Sequence, residues 1–89
     1  MKKQYYIDLI GRFYKLLIFY EKHPSSFRNY LYNLKLEIRG NEDYSQMQRI
    51  YYMLNYLYTQ EINHSDVRKV SLDSIGIVNE ILDSWGEKI

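Results

Sequence analysis

Few residues of this 89-residue chain combine the types and the spacing that catalysis or metal binding requires. His23 and His64 lie at separate junctions between predicted helices, so we interpret them as turn and cap residues rather than metal ligands. Glu80 and Asp83 are three residues apart, a spacing common on exposed helix surfaces, without an apolar pocket that would suit paired carboxylates to acid–base catalysis. The chain also lacks cysteine, a glycine-rich phosphate loop and a nucleophile elbow. We therefore predict that the protein is not an enzyme and uses no metal, cofactor or small-molecule substrate.

Basic residues on the second predicted helix are the next candidates for function. Arg28, Lys35 and Arg39 share one side of that helix and could hold a few phosphates. The whole chain is not basic, with a net charge of +1, and Glu37 together with the acidic second half would repel a phosphate backbone. Nucleic-acid binding is therefore the weaker hypothesis.

The two halves of the chain carry opposite charge. Residues 1–40 hold eight Lys or Arg and three acids, whereas residues 41–89 hold four Lys or Arg and eight acids, which gives +5 and −4. We interpret this as attraction between basic and acidic helices within one folded protein.

The segment 44–62 has the pattern of the central helix. Its apolar residues recur at helical spacing and predict a buried face: Met47, Ile50, Leu54 and Leu57. A row of tyrosines, each seven residues from the last, lies beside that face: Tyr44, Tyr51 and Tyr58. The opposite side carries Tyr52 and Tyr56, where a solvated helix would normally carry charge. These two tyrosines are the first indication of a surface that binds a partner.

Three further helices are predicted around this one. The first runs from about Lys3 to Glu21 or Lys22, and the second is capped by Ser25 or Ser26 and stops at Gly40 in the C′ position. Asp43 caps the third helix, and the fourth runs from a Ser65 cap to Gly86, either continuous or broken near residues 71–76, where Ser71 could cap a new helix. Short connections between four amphipathic helices predict one all-α domain over residues 1–89, an antiparallel up-down-up-down four-helix bundle.

Apolar pairs on the outward sides of two helices predict a protein-binding surface. Tyr32 and Leu36 form such a pair on the second helix, as Tyr52 and Tyr56 do on the third, and Trp85 lies near the end of the fourth. Isolated exposed apolar residues need no explanation, but contiguous patches usually bind something. The alternatives are a homodimer face, or tyrosines that lie flat on the surface with hydrated hydroxyl groups.

The sequence also bears on location. Asp8, Arg12 and Lys15 interrupt what would have to be the apolar core of a signal peptide, and no uninterrupted apolar run is long enough to cross a bilayer. We expect a cytoplasmic protein.

Residues 31–86 resemble the small immunity proteins that protect Gram-positive bacteria against pediocin-like (class IIa) bacteriocins. Four segments carry the resemblance: LYNLKLEIRG at 31–40, QRIYYMLNYLYTQEI at 48–62, SDVRKV at 65–70 and VNEILDSWG at 78–86. The resemblance implies a cytoplasmic antiparallel four-helix bundle that locks the bacteriocin onto the mannose phosphotransferase permease from the inner side of the membrane, with peripheral membrane association. It also implies that recognition residues lie at the end of the chain: Ile81, Leu82, Trp85, Lys88 and Ile89.

Two hypotheses follow. The first is a bacteriocin immunity protein that binds the occupied permease. The second is a homodimeric regulatory or adaptor bundle of phage or plasmid origin that acts through protein contacts at Tyr52 and Tyr56.

Overall fold

The structure is a computed structural model that describes residues 2–86, and the side chains up to Ser84. Within this range the chain forms helices and no strand: α1 (Lys2–Lys22), α2 (Pro24–Arg39), α3 (Tyr44–Thr59) and α4 (His64–Gly86). The prediction of four helices and an all-α fold is confirmed.

Short connections arrange these helices as antiparallel neighbours. A single residue separates α1 from α2, and four residues separate each later pair. α1 packs against α2 and α4, and α3 packs against the same two helices. Over the described residues α1 and α3, like α2 and α4, lie diagonally across the bundle, with no close approach of their backbones. The result is the predicted up-down-up-down bundle, 42 Å long and 20 to 21 Å across.

One apolar row from each helix meets in the core. On α3 the predicted row is buried without exception: Met47, Ile50, Leu54 and Leu57. The other helices contribute residues at the same helical spacing: Tyr6, Leu9, Phe13 and Leu16 from α1; Phe27, Leu31, Leu34 and Ile38 from α2; Val67, Val70, Ile75, Ile77, Val78 and Ile81 from α4. Burial of each large apolar side chain contributes about 1.5 to 3 kcal/mol, so this shared core holds the helices in register.

α1 also has apolar residues outside the core. Ile7, Tyr14 and Ile18 are each close to half exposed, because they lie on the side of α1 that faces away from its neighbours.

The helix starts differ from the prediction. α2 begins at Pro24 with His23 as its N-cap residue, because the fixed φ of proline suits the first helical position; Ser25 and Ser26 lie inside the helix and do not cap it. α4 starts with a reciprocal pair instead of a Ser65 cap. The Asp66 N–H donates to Asn63 Oδ1 (3.0 Å) and the Asn63 N–H donates to Asp66 Oδ2 (2.9 Å). This is a capping box that begins two residues earlier than predicted.

The structure also shows whether α4 is broken near residues 71–76 and how α2 ends at Gly40. α4 is continuous through residues 71–76, and Ser71 is buried in the bundle rather than capping a second helix. Gly40 does end α2, as predicted, but with a φ of −86°, so the left-handed C′ conformation is not used.

Candidate partner-binding surface

The side of the bundle formed by α2 and α3 carries alternating cations and aromatic rings, which we call the cation–tyrosine ladder. Its members come in equal numbers from the two helices: Arg28, Lys35 and Arg39 from α2, and Tyr44, Tyr51 and Tyr58 from α3. Residues seven apart are two helical turns apart and stay on one stripe. Packing α2 against α3 therefore brings one stripe of each helix into contact along its length.

Close contacts hold the ladder together. The Arg28 guanidinium carbon lies 4.3 Å from the centre of the Tyr58 ring, and that of Arg39 lies 4.6 Å from the centre of the Tyr44 ring. Lys35 Nζ is 4.6 Å from the Tyr58 ring centre. A cation within about 6 Å of a ring centre is attracted by the ring quadrupole, by roughly 0.5 to 1 kcal/mol at exposed sites. The ladder is thus part of the α2–α3 packing as well as of the surface.

Hydrogen bonds fix two of the cations. Lys35 Nζ donates to Asn55 Oδ1 (3.0 Å), and Arg28 Nη1 donates to the Tyr58 carbonyl oxygen (3.1 Å). Within residues 2–86 no carboxylate forms an ion pair with Arg28, Lys35 or Arg39. The ladder therefore presents uncompensated positive charge on an aromatic background.

The predicted surface pair on α2 borders this ladder. Tyr32 is 41 % exposed, and its ring centre lies 5.6 Å from that of Tyr58. Leu36 is 49 % exposed one helical turn further along. Tyr32 therefore joins the ladder, and Leu36 extends it with apolar surface.

The predicted pair on α3 is also exposed, Tyr52 at 62 % and Tyr56 at 49 %. The Tyr52 ring meets the edge of the Tyr51 ring at 5.7 Å, so Tyr52 continues the ladder toward solvent. Tyr56 lines a groove between α3 and α4 together with Asp66, Lys69 and Asp73. The outward side of α3 therefore has cations on its α2 flank and charges of both signs, with acids in excess, on its α4 flank.

The residues at the end of α4 are placed differently. Ile81 is only 5 % exposed and belongs to the core, so its assignment to a recognition surface is corrected; its position in the sequence matches the inward apolar row of α4. Leu82 is half-buried beside that core. The side chain of Trp85, and the whole of Lys88 and Ile89, lie outside the described residues.

A polar cluster near the N-terminal end of α1 has a structural role. The Tyr5 hydroxyl donates to Glu37 (2.6 Å) and accepts from Asn41 (3.1 Å), and the Tyr6 hydroxyl donates to Asp43 (2.7 Å). Burial raises the pKa of Tyr5 to about 12, and the bond to Glu37 acts in the same direction. Burial also raises the pKa of Tyr6, with further help from Asp43. These bonds tie α1 to α2 and to the α2–α3 connection.

The histidines take part in local contacts. His64 Nε2 lies 2.5 Å from a carboxylate oxygen of Glu21, which links the start of α4 to the end of α1. His23 packs against Phe19, with ring centres 5.7 Å apart. Over residues 2–86 the structure contains no cluster of three metal-binding side chains, and no helix in that range is both long enough and apolar enough to cross a bilayer.

No protein-family model, curated protein or solved structure matches this chain.

The sequence analysis identifies both rows of the ladder but does not predict that they contact each other. A pattern common to the two rows could have predicted this contact: both contain a step of seven residues, from Arg28 to Lys35 on α2 and from Tyr44 to Tyr51 on α3. Two equal steps on consecutive antiparallel helices indicate stripes that can pair.

Proposed function

We propose that this protein is a non-enzymatic, cytoplasmic immunity protein. In this proposal it protects a Gram-positive bacterium by binding a bacteriocin-occupied membrane permease from the cytoplasmic side. The supporting observation is a set of exposed tyrosines and one leucine beside the cation–tyrosine ladder: Tyr32, Leu36, Tyr52 and Tyr56. Tyr and Arg are the residue types that dominate protein-binding hot spots. The immunity role itself comes from the resemblance of residues 31–86.

A protein partner suits this surface better than a nucleic acid does. The cations of the ladder are few and are packed over tyrosine rings, so they cannot follow a phosphate backbone freely. The α4 flank of the same side adds Asp66 and Asp73, which repel phosphate. Half-exposed Tyr and Leu side chains instead bury apolar area when another protein covers them.

Residues near position 82 and beyond form a second part of this proposal. Leu82, Trp85, Lys88 and Ile89 are retained from the resemblance, whereas Ile81 is not, because its side chain is enclosed by the core. Peripheral association with the membrane follows from the location of the permease.

Survival of a sensitive strain tests this proposal. Cells that express the wild-type chain should survive at least one bacteriocin of a pediocin-like panel, and cells that express Tyr52→Ala/Tyr56→Ala should lose that protection at equal protein level. Tyr14→Ala is the matched control, because Tyr14 is 53 % exposed on α1, outside the proposed surface. Unchanged killing by every bacteriocin of the panel would remove the immunity proposal.

The second candidate is a homodimeric regulatory or adaptor bundle that self-associates through Tyr52 and Tyr56. The exposure of Tyr52 and Tyr56 favours it, since both rings would bury apolar area when a second copy covers them. Sedimentation at micromolar concentration tests this candidate, with a dimer that Tyr52→Ala dissociates as the expected result. A wild-type monomer would exclude it.

A further inference from the structure

The outward side of α1 carries an apolar stripe that faces away from the rest of the described bundle. Its three large residues, Ile7, Tyr14 and Ile18, are each close to half exposed. With Gly11 among them, these positions follow one another at steps of four, three and four residues, so they lie on one line along the helix. A Cβ added at Gly11 would meet only open space, which leaves the stripe accessible along its length.

Lysines border this stripe on both sides. Lys3 lies one helical turn before Ile7, whereas Lys15 and Lys22 lie one turn before and one turn after Ile18. All three lysines are exposed, and within residues 2–86 none of them forms an ion pair. A lysine stem can follow apolar surface while its ammonium group stays in a polar layer.

A groove between α1 and α2 continues this surface. It has a volume of about 580 Å³, shares two residues with the lysine-bordered stripe, and is lined by Arg12, Lys15, Ile18, Phe19, His23 and Tyr30. The ring centres of Phe19 and Tyr30 lie 4.6 Å apart and give the groove an aromatic wall. Among the described residues no carboxylate lines it, whereas acids line the groove between α3 and α4 and the groove beside Tyr5. The groove therefore suits a ligand that is both negatively charged and apolar.

Two acids on α1 reduce its positive charge without removing it. The helix holds five basic residues and two acids, Asp8 and Glu21. Glu21 is engaged with His64 at the start of α4. Arg12 is partly compensated by Glu37, at 3.5 Å. The uncompensated charge of this side therefore comes mainly from its lysines.

We infer that the outward side of α1 binds the surface of a bilayer that contains anionic phospholipid. The apolar stripe enters the boundary between headgroups and acyl chains, and the lysines lie against the headgroup phosphates. Apolar side chains bordered by lysines are typical of helices that lie in the plane of a membrane interface. This contact needs neither a permease nor a bacteriocin, so it goes beyond the proposed function.

The position of α1 in the bundle allows this contact. Each helix forms one corner of the bundle, so the outward side of α1 meets a flat surface before α2 and α4 do. The stripe and its lysines extend over about 30 Å of helix, from position 3 to position 22, all of it parallel to that surface. α3 forms the opposite corner, so Tyr52 and Tyr56 stay available to a protein partner while α1 rests on lipid.

Other occupants fit this side less well. A second copy packed on it would place lysines against lysines, which is repulsive. A nucleic acid would pair with the lysines but would leave the apolar stripe against a charged backbone. An anionic bilayer offers negative charge at its surface and apolar material directly beneath, which matches both features.

Co-sedimentation with lipid vesicles tests this inference. The wild-type chain should pellet with vesicles of equal parts phosphatidylglycerol and phosphatidylcholine, should pellet much less with phosphatidylcholine alone, and should be released as salt is raised. Lys15→Gln/Lys22→Gln removes two charges from the border of the stripe, and Ile7→Gln/Ile18→Gln removes two of its apolar residues. Each double variant should bind the anionic vesicles roughly tenfold or more weakly than the wild type.

Matched controls remove the same chemistry from other helices. Arg68→Gln/Lys69→Gln takes two exposed charges from α4, and Leu36→Gln/Leu72→Gln takes exposed leucines from α2 and α4. Both control variants should bind as the wild type does. Tyr14→Ala keeps the isoleucines and lysines of α1, so it should weaken binding less than either double variant of that helix. Circular dichroism verifies that every variant is folded.

Each outcome bears on a separate claim. A folded wild-type chain that does not pellet with anionic vesicles at low salt overturns the lipid inference and leaves the immunity proposal standing, because the vesicles contain no permease. Equal weakening in the control variants, or full binding by Ile7→Gln/Ile18→Gln, also overturns it, since the stripe would then not be the contact. Release by millimolar inorganic phosphate at constant ionic strength would indicate a site for a small soluble anion and would overturn the bilayer assignment. Vesicle binding by a chain that gives no protection supports the lipid inference and removes only the immunity proposal.

Discussion

Two nearby residues of α3 should lose very different amounts of stability on truncation to alanine. Leu54 is 0 % exposed within the core that all four helices share, whereas Tyr52, two residues earlier, is 62 % exposed on the outward side. Leu54→Ala removes buried methyl groups that the other helices contact. Tyr52→Ala removes a ring that is mostly in water and leaves the core intact.

The expected magnitudes differ several-fold. A buried Leu→Ala change costs about 2 to 5 kcal/mol, since lost transfer energy and a residual cavity add. An 89-residue domain has a free energy of unfolding of roughly 4 to 13 kcal/mol, so Leu54→Ala removes a large share of it and lowers Tm by more than about 10 °C. Tyr52→Ala should change the free energy of unfolding by less than about 1 kcal/mol, because Ala also favours the helix.

Urea denaturation followed by circular dichroism measures both effects. Because a dimer would be stabilised by its own association, each variant should be unfolded at several protein concentrations, and the comparison made at the lowest. A loss at Tyr52 as large as that at Leu54, independent of concentration, would mean that the rotation of α3 in the bundle is wrong. The proposed surface would then be wrong as well.

Three smaller changes test other parts of the fold. Gly76→Ala should raise the free energy of unfolding by about 0.5 to 1 kcal/mol in a urea titration, because the added Cβ meets only open space on a continuous helix; a loss would indicate a bend at Gly76. Ser74 is fully buried, and its hydroxyl has no hydrogen-bond partner within the described part of the chain. Ser74→Ala should therefore raise the free energy of unfolding by about 1 kcal/mol and raise Tm. A lower Tm would indicate a hydrogen bond to that hydroxyl. The pKa of Tyr5 is about 12 in the folded protein and 10.0 in the unfolded chain. The protonated Tyr5 hydroxyl therefore stabilises the fold fully below pH 10, and this stabilisation is lost as the pH rises toward 12. Tyr5→Phe should therefore flatten the fall of the urea midpoint above pH 10, and a variant whose midpoint falls as steeply as that of the wild type would contradict this account.

The sequence predicts this fold well because each helix has one dominant apolar row. On α3 the spacing of Met47, Ile50 and Leu54 defines a single buried stripe, and the structure buries all of them. Burial dominates the energy of a small bundle, so the spacing alone sets how each helix is rotated. The rotation of α3 set by its buried row explains why Tyr52 and Tyr56 are exposed. The rotation of α4 set by its own apolar row explains why Ile81 is buried.

The helix ends were harder to predict because several residues compete for each cap. Asn63, Ser65 and Asp66 can all cap a helix, and Ser65 was predicted, yet Asn63 and Asp66 do so together. Contacts from elsewhere position this junction, including the bond from the Tyr20 hydroxyl to the Ile62 carbonyl oxygen (3.4 Å) and that of His64 with Glu21. Such long-range contacts are absent from a local pattern.

Which cation contacts which tyrosine in the ladder depends on how α2 and α3 are placed relative to each other, and not on either helix alone. The seven-residue step fixes which residues share a stripe, but the relative height of α2 and α3 decides that Arg28 meets Tyr58 and Arg39 meets Tyr44. That height follows from core packing and from the length of the connection at residues 40–43.

The charge asymmetry shows most clearly why topology matters. From the sequence, attraction between basic and acidic helices within one protein was the simpler interpretation, and Lys2 does pair with Glu42 and Asp43 across the two halves. In an up-down-up-down bundle, however, helices two apart in sequence are diagonal, so the cations of α2 and the acids of α4 are separated by the core. Within the described residues no ion pair neutralises Arg28, Lys35 or Arg39, so the stripe stays charged at the surface.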